Sequence, residues 1–282
     1  MPHTVRRPPL AIAGALLTFV GTVAAFSAPR PARHVLTITA TEFAFQSPDT
    51  VPAGVTTITL RNRGRQLHHV QLIKLADGHT LGDVLAALRT QGPPPAWEHF
   101  VGGPNTPVPG ADASGTLDLA PGRYALICFI PGPDGVPHVM KGMAKEITVT
   151  APAHTRVARA DREIVPGTTI ALTDYTFTIS RPLRAGSTRV RLRNDATQPH
   201  EMLVVKLAPG RTASDFAAWS EKPDGPPPGA PMGGSSAMAH GVWNDITMTL
   251  SPGSYGLVCF VPDARDGKPH AVHGMVRDLV VR

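Results

Sequence analysis

Several common features are scarce in this sequence, and each shortage narrows the reading. Cysteine occurs only twice in 282 residues, so at most one disulfide can form. Charged residues make up 17% of the chain and aromatics 5%. With 42% hydrophobic residues, the chain is too apolar for disorder and lacks the composition of a coiled coil or long helical bundle. The net charge is +6, yet no run of lysine and arginine with interleaved aromatics occurs, so nucleic acid is not an expected partner. Long apolar stretches are absent after Phe26. Turn formers, by contrast, are abundant: 27 glycines and 30 prolines predict short strands joined by many turns, in a chain long enough to bury a real core.

The N-terminus reads as an export signal. Arg6 and Arg7 form a basic start, Leu10 to Phe26 is almost wholly apolar, and the small residues Ala24, Ala25, Ser27 and Ala28 suit cleavage. Residues 1–28 are therefore expected to be a signal peptide or, if uncleaved, a short anchor, the only expected membrane contact. The expected address is periplasmic or extracellular.

The rest of the chain is a duplication. Thr41-Glu42-Phe43-Ala44-Phe45 corresponds to Thr173-Asp174-Tyr175-Thr176-Phe177, and Leu60-Arg61-Asn62 to Leu192-Arg193-Asn194. Pro121-Gly122-Arg123-Tyr124 through Cys128-Phe129 corresponds to Pro252-Gly253-Ser254-Tyr255 through Cys259-Phe260. Matches this long, with insertions confined to loops, mark a tandem repeat. The copies are expected at 34–150 and 162–282, joined by a linker at 151–161. Within a copy the apolar period is two, as over Val35 to Ala40, Val55 to Leu60, Val70 to Leu75 and Tyr124 to Phe129, which predicts strands. Thr80 with Asp83, and Thr212 with Asp215, predict one capped helix per copy. The Pro-rich stretches 93–95 and 226–228 are expected to end these helices and open long loops. The fold class is thus all-β: two antiparallel β-sandwiches, each with a short helical excursion.

Both cysteines sit at equivalent places, each ending a strand that opens with Pro-Gly-x-Tyr. Each is followed by a loop, a histidine and a methionine: Cys128, His138 and Met143 in one copy, Cys259, His270 and Met275 in the other. An upstream histidine, His68 or His200, begins a strand in each copy. A thiolate, two imidazoles and a thioether suit a copper ion that cycles between two oxidation states, because a His₂Cys plane with a weak axial Met is tolerated by both. Singly, these residues have plainer readings. The cysteines could pair as an interdomain disulfide or lie buried and free, and the methionines could be core. His69, His79, His99, His154 and His240 read as surface or loop residues, and His273 as rim.

The set His68, Cys128, His138 and Met143, repeated as His200, Cys259, His270 and Met275, resembles the type 1 copper site of cupredoxins. That resemblance implies Greek-key β-sandwiches, each holding one copper ion near one end, two in all. It also implies one-electron exchange with a redox partner protein, with His138 and His270 nearest the exposed edge. The sequence departs from the family in two places. The Cys-to-His loop is longer than in single-domain electron carriers. The residue after the first histidine, often an Asn that braces the ligand loop, is His69 or Glu201. Tandem domains also resemble copper nitrite reductases and two-domain multicopper oxidases. Those enzymes need a second centre wired through a histidine beside the cysteine, whereas here the neighbours are Ile127 and Phe129, and Val258 and Phe260. With no His-Cys or His-x-His run, the chain is expected not to be an enzyme. A copper carrier exchanging metal with a donor or acceptor, and a metal-free interaction module, are the alternatives.

Overall fold

In the strand His34–Thr41, Leu36, Ile38 and Ala40 are buried while Val35 is 73% exposed, because successive side chains of an extended chain point to opposite faces. The same alternation buries Ile58 and Leu60 in Gly54–Asn62 and Val190 and Leu192 in Gly186–Asn194. The computed structural model describes Met1, His3 and residues 34–90, 92–151 and 167–282. The expected signal segment, and the expected linker after Ala151, lie outside the described residues.

The strands form two sheets, and both run through both halves of the repeat. The eight-stranded sheet has the order Thr176–Ile179, Thr168–Thr173, Gly186–Asn194, Trp243–Leu250, Asp112–Leu119, Gly54–Asn62, His34–Thr41, Ala44–Gln46. The nine-stranded sheet has the order Val276–Val281, Gly253–Val258, His200–Leu207, Gly229–Met238, Glu98–Gly102, Gln71–Leu75, Gly122–Ile127, Ala144–Thr150, Thr50–Pro52. The halves join where Asp245 and Ile246 pair with Thr116 and Gly115, and where Met238 pairs with Val101. Each half still has its own sandwich core. Leu36, Ile58, Leu60, Leu72, Leu126 and Cys128 share one, and Ile170, Leu192, Val204, Leu257 and Cys259 share the other.

The two helices are Leu81–Arg89 and Ala213–Glu221, each opened by a capping box, Thr80 with Asp83 and Thr212 with Asp215. These boxes satisfy amide donors that a helix start leaves unpaired. Val84 is fully buried, and Leu81, Leu85 and Leu88 lie beside it against Ile73 and Ile127.

The expected long loops after the helices are in part strands, Glu98–Gly102 and Gly229–Met238. Their residues carry no clean period because tertiary pairing decides their conformation. Gly234 shows how: its φ is +132°, and a Cβ there would lie 1.9 Å from the carbonyl oxygen of Met202. Only glycine permits so close a strand approach.

Candidate metal centres

Each pocket is assembled where a sheet strand ends and a loop folds back over it. In the first half, the N–H of Cys128 donates to the carbonyl of Met143 (3.2 Å), that of Val139 to Cys128 (2.9 Å), that of His138 to Ile130 (2.9 Å) and that of Met143 to His138 (3.0 Å). The second half repeats the set: Cys259 to Met275 (3.2 Å), Ala271 to Cys259 (2.8 Å), His270 to Val261 (2.9 Å) and Met275 to His270 (3.0 Å). Gly142 (φ +96°) and Gly274 (φ +95°) take the left-handed turn just before each methionine, a conformation that costs other residues energy.

These bonds bring the sequence-predicted donors together. His68, Cys128 and His138 each offer an atom within 4.8 Å of the others, and so do His200, Cys259 and His270; all six residues are buried. Cys128 Sγ is 3.5 Å from His138 Nδ1, and the Nδ1 atoms of His68 and His138 are 3.2 Å apart. Cys259 Sγ lies 3.5 Å from His270 Nδ1 and 3.8 Å from His200 Nδ1. Met143 and Met275 are fully buried in the same apolar clusters as their cysteines. Both cysteines are free thiols, so the interdomain disulfide is excluded.

The outer ring nitrogens decide what faces the pocket. His138 Nε2 donates to Gln66 Oε1 (3.0 Å) and His200 Nε2 to Asp174 Oδ1 (3.1 Å). His68 Nε2 lies 3.7 Å from Glu42 Oε1, and His270 Nε2 3.7 Å from Asp263 Oδ2. An acceptor on the outer side holds the proton on Nε2 of His138 and of His200 and leaves their Nδ1 lone pairs pointing inward, the arrangement that orients metal-binding imidazoles. Nε2 of His68 and of His270 faces its carboxylate without a hydrogen bond. In the first pocket the two Nδ1 atoms lie 3.2 Å apart, close enough for one to donate to the other in the metal-free protein. The donor set fits copper, which takes thiolate and imidazole together.

Burial keeps the imidazoles neutral. It lowers His138 to about 4, helped by His68 and Lys141, and His270 to about 4, helped by His200. Burial pushes the Cys128 thiol up to about 12 against the backbone N–H groups of His69 and Ile130, and raises Cys259 as well, with Glu201 adding to the effect. A metal cation must displace these thiol protons to bind.

One expectation about a neighbour is corrected. His69 is 5% exposed, not a surface residue. Its Nε2 accepts the backbone N–H of Phe129 (2.9 Å), and Glu201 Oε1 accepts that of Phe260 (3.0 Å). His69 and Glu201 therefore brace the residue after each cysteine, despite not being Asn. His138 and His270, like the other pocket histidines, are fully buried. Phe43 (ring centroids 5.0 Å apart) and Gln66 cover the first, and Tyr175 (5.6 Å) and Asp263 the second. The repeat alignment of Glu42-Phe43 with Asp174-Tyr175 is the sequence signal for these covering residues. A third group, Asp263, Asp266 and His273, also lies close together, but Asp263 is engaged by Arg265 and Tyr175.

No protein-family model matches the chain, and no curated protein does. Solved structures do. Auracyanin from Roseiflexus castenholzii is 24% identical, over 41% of this chain and 96% of its own, with a TM-score of 0.31. A copper-containing nitrite reductase from Thermus scotoductus is 16% identical, over 89% of this chain and 62% of its own, with a TM-score of 0.24. Blue copper oxidase from Nitrosomonas europaea is 16% identical, over 88% of this chain and 85% of its own, with a TM-score of 0.25. The architecture is one of paired β-sandwiches, each closing a His–Cys–His pocket.

The expectation that the chain is not an enzyme does not stand, because the matches that span nearly all of it, the nitrite reductase and the oxidase, are enzymes. That expectation relied on the missing His-Cys and His-x-His runs.

Proposed function

We propose that this chain is an exported copper protein that binds one type 1 copper ion in each pocket and exchanges single electrons with a redox partner. The observation that carries the reading is the convergence of a buried thiol and two inward-facing Nδ1 atoms, twice, with matched loop hydrogen bonds. Bound copper would supply a one-electron couple between its two oxidation states. His68, Cys128, His138 and Met143 would hold one ion and His200, Cys259, His270 and Met275 the other.

The protein's part is to keep the donor geometry constant while the charge changes. The loop bonds fix Cys128 and Cys259, the outer partners of the imidazoles fix ring orientation, and His69 and Glu201 brace the following residue. The apolar residues around each cysteine, Leu126 and Leu257 among them, exclude water. Complete burial of all six nitrogen and sulfur donors favours retention of the metal over its delivery, so electron exchange is preferred to a carrier role. Export is supported by the N-terminal sequence; no helix among the described residues is long and apolar enough to cross a membrane.

Addition of Cu(II) to the metal-free protein, followed by optical and EPR spectroscopy, tests the reading. An intense visible band with a narrow copper hyperfine pattern is expected; a colourless product with ordinary hyperfine splitting would reject it.

A further inference from the structure

The two pockets share their donors but not their surroundings. Glu42 and Asp174 occupy matched positions on the first histidine of each pocket, at 3.7 and 3.1 Å. The loop histidines differ. His138 Nε2 meets the neutral amide oxygen of Gln66 at 3.0 Å. In the second half the matched glutamine, Gln198, turns instead to Asp263, donating to Oδ2 at 3.3 Å. Asp263 then faces His270, with Oδ2 3.7 Å from Nε2 and both side chains 0% exposed.

We propose that Asp263 makes the pockets unequal: the second favours the more highly charged, oxidised metal, so an electron shared between them settles in the first. This rests on the copper reading above. The reason is electrostatic. A buried carboxylate facing the outer nitrogen of a ligand, even without a hydrogen bond to it, stabilises extra positive charge on the ring and its metal, whereas a neutral amide does so more weakly.

The balance of the other charges around the pockets acts in the same direction. Asp263 is held ionised: Tyr175 Oη donates to it, as do the backbone N–H of Arg265 (2.8 Å) and Arg265 Nε (3.1 Å). Its counter-ion Arg265 is 67% exposed, so water screens the cation more than the carboxylate. Over the first pocket the matched flank carries Lys141, whose Nζ sits 4.9 Å from the Phe43 ring and whose side chain is only 20% exposed. Its partner Asp134 is 57% exposed. A cation is thus the less screened charge at the first pocket, and an anion at the second. In the second half His273 stands where the first has Lys141, and it faces Asp266 at 3.1 Å.

The test uses the full copper-loaded chain. Cys259→Ser leaves only the first site and Cys128→Ser only the second; EPR confirms the type 1 signal in each, and a spectroelectrochemical titration gives each midpoint. The second site should lie lower by at least tenfold in electron distribution, about 59 mV for one electron. Asp263→Asn in the Cys128→Ser background should raise the second midpoint toward the first, and Arg265→Gln should lower it further. If Asp263→Asn does not hold copper, Arg265→Gln decides alone. Equal midpoints, or midpoints unmoved by these changes while the type 1 signals persist, would overturn the inference and leave the copper reading intact. Absence of type 1 signals in both cysteine variants would overturn the copper reading, and this inference with it.

Discussion

His69 Nε2 accepts the backbone N–H of Phe129 at 2.9 Å, directly after the cysteine of the first pocket. Glu201 does the same for Phe260 at 3.0 Å in the second. Two side chains of different chemistry thus do one job, because either can place an acceptor at that amide. Asn105 Nδ2 also donates to Glu201 Oε2 at 3.1 Å, so the second brace is held by a residue of the first half.

Removing a brace should therefore cost stability and loosen one site only. His69→Ala leaves the part-buried Phe129 amide without its acceptor and should destabilise the metal-free chain by about 1 kcal/mol. Thermal unfolding checks the stability. EPR of the copper-loaded variant should show one disturbed and one unchanged copper signal.

Acid should destabilise the metal-free protein before its ordinary carboxylates protonate. Burial lowers His138 and His270 to about 4 and His69 to about 3, against 6.5 when unfolded. Between about 4 and 6.5 the unfolded chain binds more protons, so stability falls as pH falls through that window. Burial raises Glu201 to about 7, which acts in the opposite sense, so Glu201→Gln should steepen the fall. Denaturant midpoints measured from pH 4 to 7 check both statements.

The junction between the halves carries a buried charge. Asp245 is 1% exposed and meets Arg191 Nε at 2.7 Å and Arg189 at 2.6 Å, on the strand that pairs with Asp112–Leu119. Asp245→Ala leaves two guanidinium groups without their shared anion and should cost about 3 kcal/mol or more. Chemical denaturation measures it. A loss below about 1 kcal/mol would mean that water already serves these arginines.

Gly234→Ala should be worse tolerated than an alanine in any loop glycine. Its Cβ would fall 1.9 Å from the Met202 carbonyl oxygen, whereas at Gly210 it would meet nothing within 4 Å. Yield of soluble folded protein and thermal midpoint, compared between Gly234→Ala and Gly210→Ala, check this.

Much of this was legible in the sequence because it depends on local pattern or on the repeat. The period-two burial of His34–Thr41, the capping boxes at Thr80 and Thr212, and the matched Cys, His and Met positions all follow from neighbours along the chain. What the sequence hid depends on distant partners. Gly229–Met238 is a strand only because His200–Leu207 and Glu98–Gly102 lie beside it. His69 reads as a loop histidine until Phe129, sixty residues away, presents its amide. Asp263 stands in a Gly/Pro-flanked loop, and its place against His270 depends on Tyr175 and Gln198 from an earlier part of the second half.

Copper stoichiometry with spectra tests the central claim most directly. Metal analysis of the chain after Cu(II) loading should give two ions with type 1 spectra, falling to one in Cys128→Ser, one in Cys259→Ser and none in the double variant. Two tightly bound ions that survive both substitutions, or no tight binding in the unaltered chain, would contradict the account.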